Sequence, residues 1–139
     1  MLWARSMKTA WFRPLRLWAL PAGVAASAAA MAAAPEALRA ISGGMWEVSR
    51  SATGDGAVRQ CVGAPAALAQ WQHRGRACTR VILADKPGET LIHYTCPAGD
   101  FGRSRITVIT PRTLRIETQG ISDGEPFSYN LHARRIGNC

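Results

Sequence analysis

Much of what usually carries chemistry is missing from this chain. No Cys-x-x-Cys occurs, which argues against a redox pair. The four cysteines, Cys61, Cys78, Cys96 and Cys139, stand 17, 18 and 43 positions apart, whereas zinc knuckles present theirs roughly two to four apart. His73, His93 and His132 have no i, i+4 spacing and no paired carboxylate, so no metal site is expected. There is no glycine-rich phosphate loop, EF-hand spacing or paired-acid motif, and hence no expected cofactor. Lysine is scarce as well. Beyond residue 32, Lys86 is the only one, beside twelve arginines.

What is present divides sharply at the N-terminal third. Residues 1–16 carry Arg5, Lys8, Arg13 and Arg16 and no acid, and residues 17–34, LWALPAGVAASAAAMAAA, carry no charge. A basic start, an apolar stretch and small residues follow the order of a secretory signal peptide. The stretch is mostly alanine, contains Pro21, and is followed by no basic stop-transfer cluster, so a cleaved signal is expected rather than a membrane span. AMA at 30–32 places cleavage after Ala32, since a cut after Ala34 would leave Pro35 behind the scissile bond. Met7 opens a second plausible start, MKTAWFRPLRLW, and no nearby cysteine offers a lipid anchor.

Processing at Ala32 would leave 13 basic and 9 acidic residues, a net charge of +4. The expected location is periplasmic or secreted, with no membrane span in the mature chain. A modest arginine surplus can attract anionic envelope material, although solvated strand faces are the plainer account. Nucleic acid is a poor partner in that compartment.

Residues 33–42 read as a short linker or a single helical turn, ahead of one disulfide-stapled β domain over 43–139. From Gly43 onward short alternating segments are broken by turn residues about every ten positions, which is an all-β pattern. MWEVSRSAT, 45–53, places Trp46, Val48 and Ala52 on one face. A three-residue Gly-Asp-Gly loop would then set Val58 opposite Ala52 and Val62 opposite Val48. GAPAALAQWQHRG is the one helical passage. Pro65 suits its start and Gly75 its stop, and Leu68 and Trp71 fall three apart on one side to pack on the sheet.

Further on, RSRITVIT and LRIETQ are joined through Thr110-Pro111-Arg112-Thr113. The last strand, PFSYNLHARRI, puts Phe127, Tyr129, Leu131 and Ala133 on one face. The expected fold is mainly β: about seven strands in a curled antiparallel meander sheet or small open barrel, with one short helix over about residues 65–74.

CTRVILADKPGETLIHYTC, 78–96, reads as a hairpin with Asp85–Glu89 as its loop. Ala84 then faces Thr90, Ile82 faces Ile92, Arg80 faces Tyr94, and Cys78 faces Cys96. Directly opposed residues have Cβ atoms about 4.5 to 5.5 Å apart, close to what a disulfide needs. Register therefore favours Cys78–Cys96, which leaves Cys61–Cys139. Four cysteines allow three connectivities, and Cys61–Cys78 with Cys96–Cys139 stays open.

GISDG, 120–124, matches Gly-x-Ser-x-Gly, with Ser122 as nucleophile, Asp123 beside it, and His93 or His132 as base. That motif has meaning on a strand-to-helix elbow, and here it joins two strands, where glycine, serine and aspartate form ordinary turns. Trp46, Trp71, Phe127 and Tyr129 could line a ligand cavity, but on the inner face of a small sheet they read first as core.

GGMWEVSR, QCVGAPAAL and ARRIGNC, in that order, resemble the bacterial domain-of-unknown-function family numbered 3617. The carriers are Gly44, Trp46, Glu47, Gln60, Cys61, Gly137 and Cys139, and the likeness spans the region after the signal. APAAL after Cys61 departs from the Thr-Pro-Glu type of segment more usual there. The resemblance implies export and a compact β fold and adds no chemistry. The expected role is a non-enzymatic binding module for a small apolar or anionic envelope molecule or a protein partner. The alternatives are a structural or stress-related envelope component without a ligand, and a small serine hydrolase using Ser122.

Overall fold

The computed structural model describes residues 33–139; the expected signal segment and the expected cleavage point at Ala32 lie outside them. Seven strands form one antiparallel sheet: β1 (Gly44–Ser49), β2 (Val58–Val62), β3 (Thr79–Lys86), β4 (Glu89–Thr95), β5 (Phe101–Thr110), β6 (Thr113–Ser122) and β7 (Glu125–Gly137). Their order across the sheet is β2-β1-β7-β6-β5-β4-β3. Every chain neighbour pairs except β2 with β3, and β1 pairs with β7 instead. The sheet is therefore open at one place. Three 3₁₀ elements accompany it: η1 (Glu36–Leu38), η2 (Pro65–His73) and η3 (Pro97–Gly99). No helix among the described residues is long and apolar enough to cross a membrane.

Strand alternation builds the core. Trp46 and Val48 of β1, Ile92 of β4, Ile106 of β5, Leu114 and Ile116 of β6 and Leu131 of β7 are all at most 2 % exposed. Each such Leu or Ile contributes roughly 1.5–3 kcal/mol by leaving water. Onto this face pack η1, against β3, β4 and β5, and η2, against β2, β4, β5 and β6. A 3₁₀ helix turns every three residues, which stacks Pro65, Leu68 and Trp71 on one side, and all three are buried.

Two registers differ from the sequence expectation. β1 and β2 pair as Val48↔Val58 and Gly44↔Val62, four residues from the expected alignment. Side chains take the backbone here: Ser49 Oγ donates to the Asp55 carbonyl and accepts from the Ser51 N–H, and Ser51, Thr53 and Asp55 bond one another. Residues 50–57 become a loop, and the even shift preserves which side chains face the core.

The β3–β4 hairpin has the expected alignment from Arg80↔Tyr94 through Ile82↔Ile92. A bulge at Leu83 then sets Ala84 against Leu91 and leaves Pro87-Gly88 as a two-residue turn, tighter than the expected loop.

Disulfides join Cys78 to Cys96 and Cys61 to Cys139, with Cα separations of 4.2 and 5.5 Å. Two bridges suit an oxidising compartment. Residues 35–42 are docked rather than loose. Ala37, Leu38 and Ile41 are buried, and the Glu36 and Ala37 N–H groups donate to the Asp85 carboxylate at 2.6 and 3.3 Å.

Candidate functional site

The opening between β2 and β3 is also the place where η1 and η2 approach the core. A cleft of about 330 Å³ lies there. Its walls are apolar, with Leu38 and Ile41 from the η1 segment, Pro65 and Ala66 from η2, and Ile82 and Ile92 from β3 and β4. Two cations, Arg39 and Arg80, stand among them, and among the described residues no acid lines the cleft.

Arg80 is placed by the alternation of β3. It shares the Ile82 face, opposite Tyr94, so its side chain is directed to the inner side of the sheet. Its Nη1 donates to Gln70 Oε1 at 2.7 Å. Gln70 is 5 % exposed and sits at the kink of η2, with φ −100° and ψ 34°. Its amide nitrogen donates to the His73 and Arg76 carbonyls at 3.4 and 3.0 Å. One buried amide thus satisfies two carbonyls at the end of η2 and fixes a guanidinium on the neighbouring edge strand. The Arg39 side chain has no hydrogen-bond or ion-pair partner among the described residues.

Behind the cleft lies a second polar group of residues. His73, 3 % exposed, has Nδ1 3.0 Å from the Tyr94 hydroxyl and Nε2 3.5 Å from Asp100 Oδ2. Burial drives the His73 pKa below its ordinary value, against the opposing pull of Asp100. A neutral ring then accepts from Tyr94 at Nδ1 and turns its Nε2–H towards Asp100. Burial likewise raises the Tyr94 phenol far above its usual range.

Asp100 accepts from Arg76 Nη1 at 2.5 Å and from the Asp123 N–H at 3.0 Å. The Arg76 bond leads in lowering its pKa, and burial opposes it. Tyr94 and Asp100 are 0 and 5 % exposed. This group ties η2, β4, the loop after Cys96 and the β6–β7 turn together, with His73, Tyr94 and Asp100 buried and Arg76 partly exposed. Gly102 makes the room: a Cβ there would collide with the Tyr94 ring.

The Gly-x-Ser-x-Gly residues occupy a hairpin. Ser122 ends β6 opposite Glu125, and Asp123 and Gly124 have φ of 51° and 79°, both positive as a type I′ turn requires. His132 pairs with Arg115 and Ser49, ten positions along the chain from Ser122. His93 lies on β4, and β5 separates it from β6. The structure does not gather these residues. Of the four aromatics, Trp46 and Trp71 are core, and the Tyr129 hydroxyl donates to Gln72. The Phe127 ring stands edge-on to His73 and beside Tyr129, each 5.8 Å away between centroids.

Gly44, Trp46, Glu47, Gln60, Cys61, Gly137 and Cys139 cluster elsewhere, at the β2-β1-β7 end of the sheet. Glu47 bridges Arg59 of β2 and Arg134 of β7 at 3.0 and 2.9 Å, and Arg135 Nε donates to the Gly43 carbonyl at 2.8 Å. A Cβ on Gly44 would collide with the Gly137 carbonyl, and the Cys61–Cys139 bridge closes the same corner. None of those seven residues lines the cleft, whereas Gly43 and Gly63 to Ala66 beside them do.

Sequence reasoning passed over Arg39, Gln70 and Arg80. A signal for Arg80 existed, because the hairpin register already put a cation on the apolar face. Arg39 and Gln70 lie in 3₁₀ segments whose short period hides which side is buried. No protein-family model, curated protein or solved structure matches the chain.

Proposed function

We propose that this is an exported, non-enzymatic binding module of the bacterial envelope, and that its ligand, a small molecule, is held in the β2/β3 cleft. The observation that carries this is the cleft itself, an apolar recess with a few placed polar groups at the one break in the sheet, which is the usual make-up of a small-molecule site. Export accords with the basic and apolar N-terminal segment, the two disulfides, and the resemblance to family 3617. Native mass spectrometry of the protein expressed from the full-length chain and purified from the periplasm is the test. A retained small-molecule adduct, lost in Ala66→Trp, is expected. Absence of any adduct in the unmodified protein would overturn the reading.

One observation favours a structural envelope role instead. Gly44, Trp46, Glu47, Gln60, Cys61, Gly137 and Cys139, which carry the resemblance, serve the β2-β1-β7 corner, and none of them lines the cleft. Full rescue of a deletion phenotype by Ala66→Trp would support that alternative. Ser122 is expected to give no labelling with a fluorophosphonate probe, given its place in a hairpin turn.

A further inference from the structure

We propose that the cleft takes a single-chain anionic amphiphile, with its head on Arg80 and Arg39 and its tail along Leu38, Ile41, Ile82 and Ile92. This rests on the reading of the cleft as a binding site. Charge carries it. Elsewhere in the described residues carboxylates hold four of the twelve arginines: Arg59 and Arg134 meet Glu47, Arg76 meets Asp100, and Arg105 meets Glu89 and Glu117.

The two arginines in the cleft have no such partner. Asp85, the acid on β3, has both carboxylate oxygens engaged by the Glu36 and Ala37 N–H groups. Two cations beside apolar walls, with no anion among the lining residues, form a site whose missing element is a negative charge.

Arg80 is also prepared for its task. Gln70 holds Nη1, which fixes the plane of the guanidinium and leaves its other donors for an oxyanion. A planar fork held in this way suits a carboxylate or a phosphate monoester. Size narrows the tail. At about 330 Å³ the cleft is at the low end of ligand sites, which span roughly 300–1,000 Å³. One short hydrocarbon chain fits that scale, and a two-chain lipid does not.

The test is calorimetric titration of the delipidated protein, expressed from the full-length chain, with decanoate, decyl phosphate, decanol and decyltrimethylammonium. Decanoate or decyl phosphate should bind at least tenfold more tightly than the neutral and cationic probes, and the stronger of the two identifies the head group. Arg80→Met should weaken that probe at least tenfold, Arg80→Lys should restore only part of the loss, and Arg39→Met should weaken it less. The Arg39 side chain has no partner to lose, so that variant serves if Arg80→Met fails to fold. Equal binding of all four probes, unchanged by either arginine variant but abolished by Ala66→Trp, would overturn the anionic assignment and leave the cleft standing. No binding by any probe would overturn the amphiphile proposal, and the native mass-spectrometry result then decides the cleft reading separately.

Discussion

Arg80, on the exposed edge strand β3, donates to the buried amide of Gln70 at 2.7 Å and so links the free edge of the sheet to the middle of η2. The link has two consequences, one for stability and one for the cleft. Gln70→Leu would keep the volume but remove the side-chain hydrogen bonds to the Arg80 guanidinium and to the His73 and Arg76 carbonyls, both carbonyls keeping a backbone N–H partner. A loss of about 0.5–1.5 kcal/mol is expected, the net scale of a hydrogen bond whose former partners are still satisfied. Urea unfolding measures it, and an unchanged midpoint would show that the amide is dispensable.

Acid should weaken the fold in two steps of the same sign. Folded His73 has a lowered pKa, so as pH falls below about 6.5 the unfolded chain takes up a proton before the folded one does. Its stabilising contribution is complete above that pH and is lost on the way down to the folded value. Asp100 is also lowered, and its contribution is present above about 3.9 and lost further into acid. Unfolding free energy measured from pH 4 to 8 should therefore fall below about 6.5 in the unmodified protein. In His73→Gln that onset should vanish. A decline as pH rises through 6.5 would contradict the assignment.

Trp46 is fully buried, yet its indole N–H has no hydrogen-bond partner among the described residues. Trp46→Phe removes an unsatisfied donor along with some volume, and a change within about 1.5 kcal/mol is expected. Trp46→Ala should cost about 3–5 kcal/mol by leaving a cavity. If the two variants are equally unstable in denaturant titrations, the indole nitrogen has a partner in solution.

The space above Tyr94 is filled to contact. Gly102→Ala forces a methyl group against the ring that reaches His73, and a loss of about 1–3 kcal/mol is expected from overpacking. Gly56→Ala offers a contrast, because its Cβ would meet nothing, although its φ of +66° adds some backbone strain. Thermal melts of the two variants side by side should rank Gly102→Ala lower.

The two disulfides should differ in weight. Cys78–Cys96 spans 18 positions and Cys61–Cys139 spans 78. Chain entropy alone assigns them about 3 and about 4.5 kcal/mol. Paired serine substitutions, Cys61→Ser with Cys139→Ser against Cys78→Ser with Cys96→Ser, should show the longer bridge to matter more. The reverse order would mean that native packing, and not the unfolded chain, sets their value.

How legible the molecule was depended on how local each feature is. The β3–β4 alignment follows from alternation and a Pro-Gly turn, so Arg80, Ile82 and their partners were readable. Its bulge at Leu83 was not, since nothing in the residues marks where a ladder slips by one. The loop 50–57 was hidden because Ser49, Ser51, Thr53 and Asp55 draw the backbone out of the strand, while their alternation with Ala52 reads as strand. The β1–β7 pairing joins residues nearly ninety positions apart, as Glu47 and Arg134 show, and no local pattern encodes it. The cleft combines both kinds of feature. Its arginine on β3 was visible, and its walls from η1 and η2 were not.

The strand order has one further consequence. Seven strands that alternate direction at every step leave β2 and β3 running the same way. Sliding the two edges together would therefore demand a parallel ladder, a pairing used nowhere else in this sheet and slightly weaker per residue. The chain already has what such a ladder requires, since residues 63–78 form a crossover of the length that joins parallel strands. It has the crossover without the ladder. Parity thus denies the sheet an antiparallel seam at that place, and the recess between η1 and η2 is a property of the topology before it is a property of any side chain.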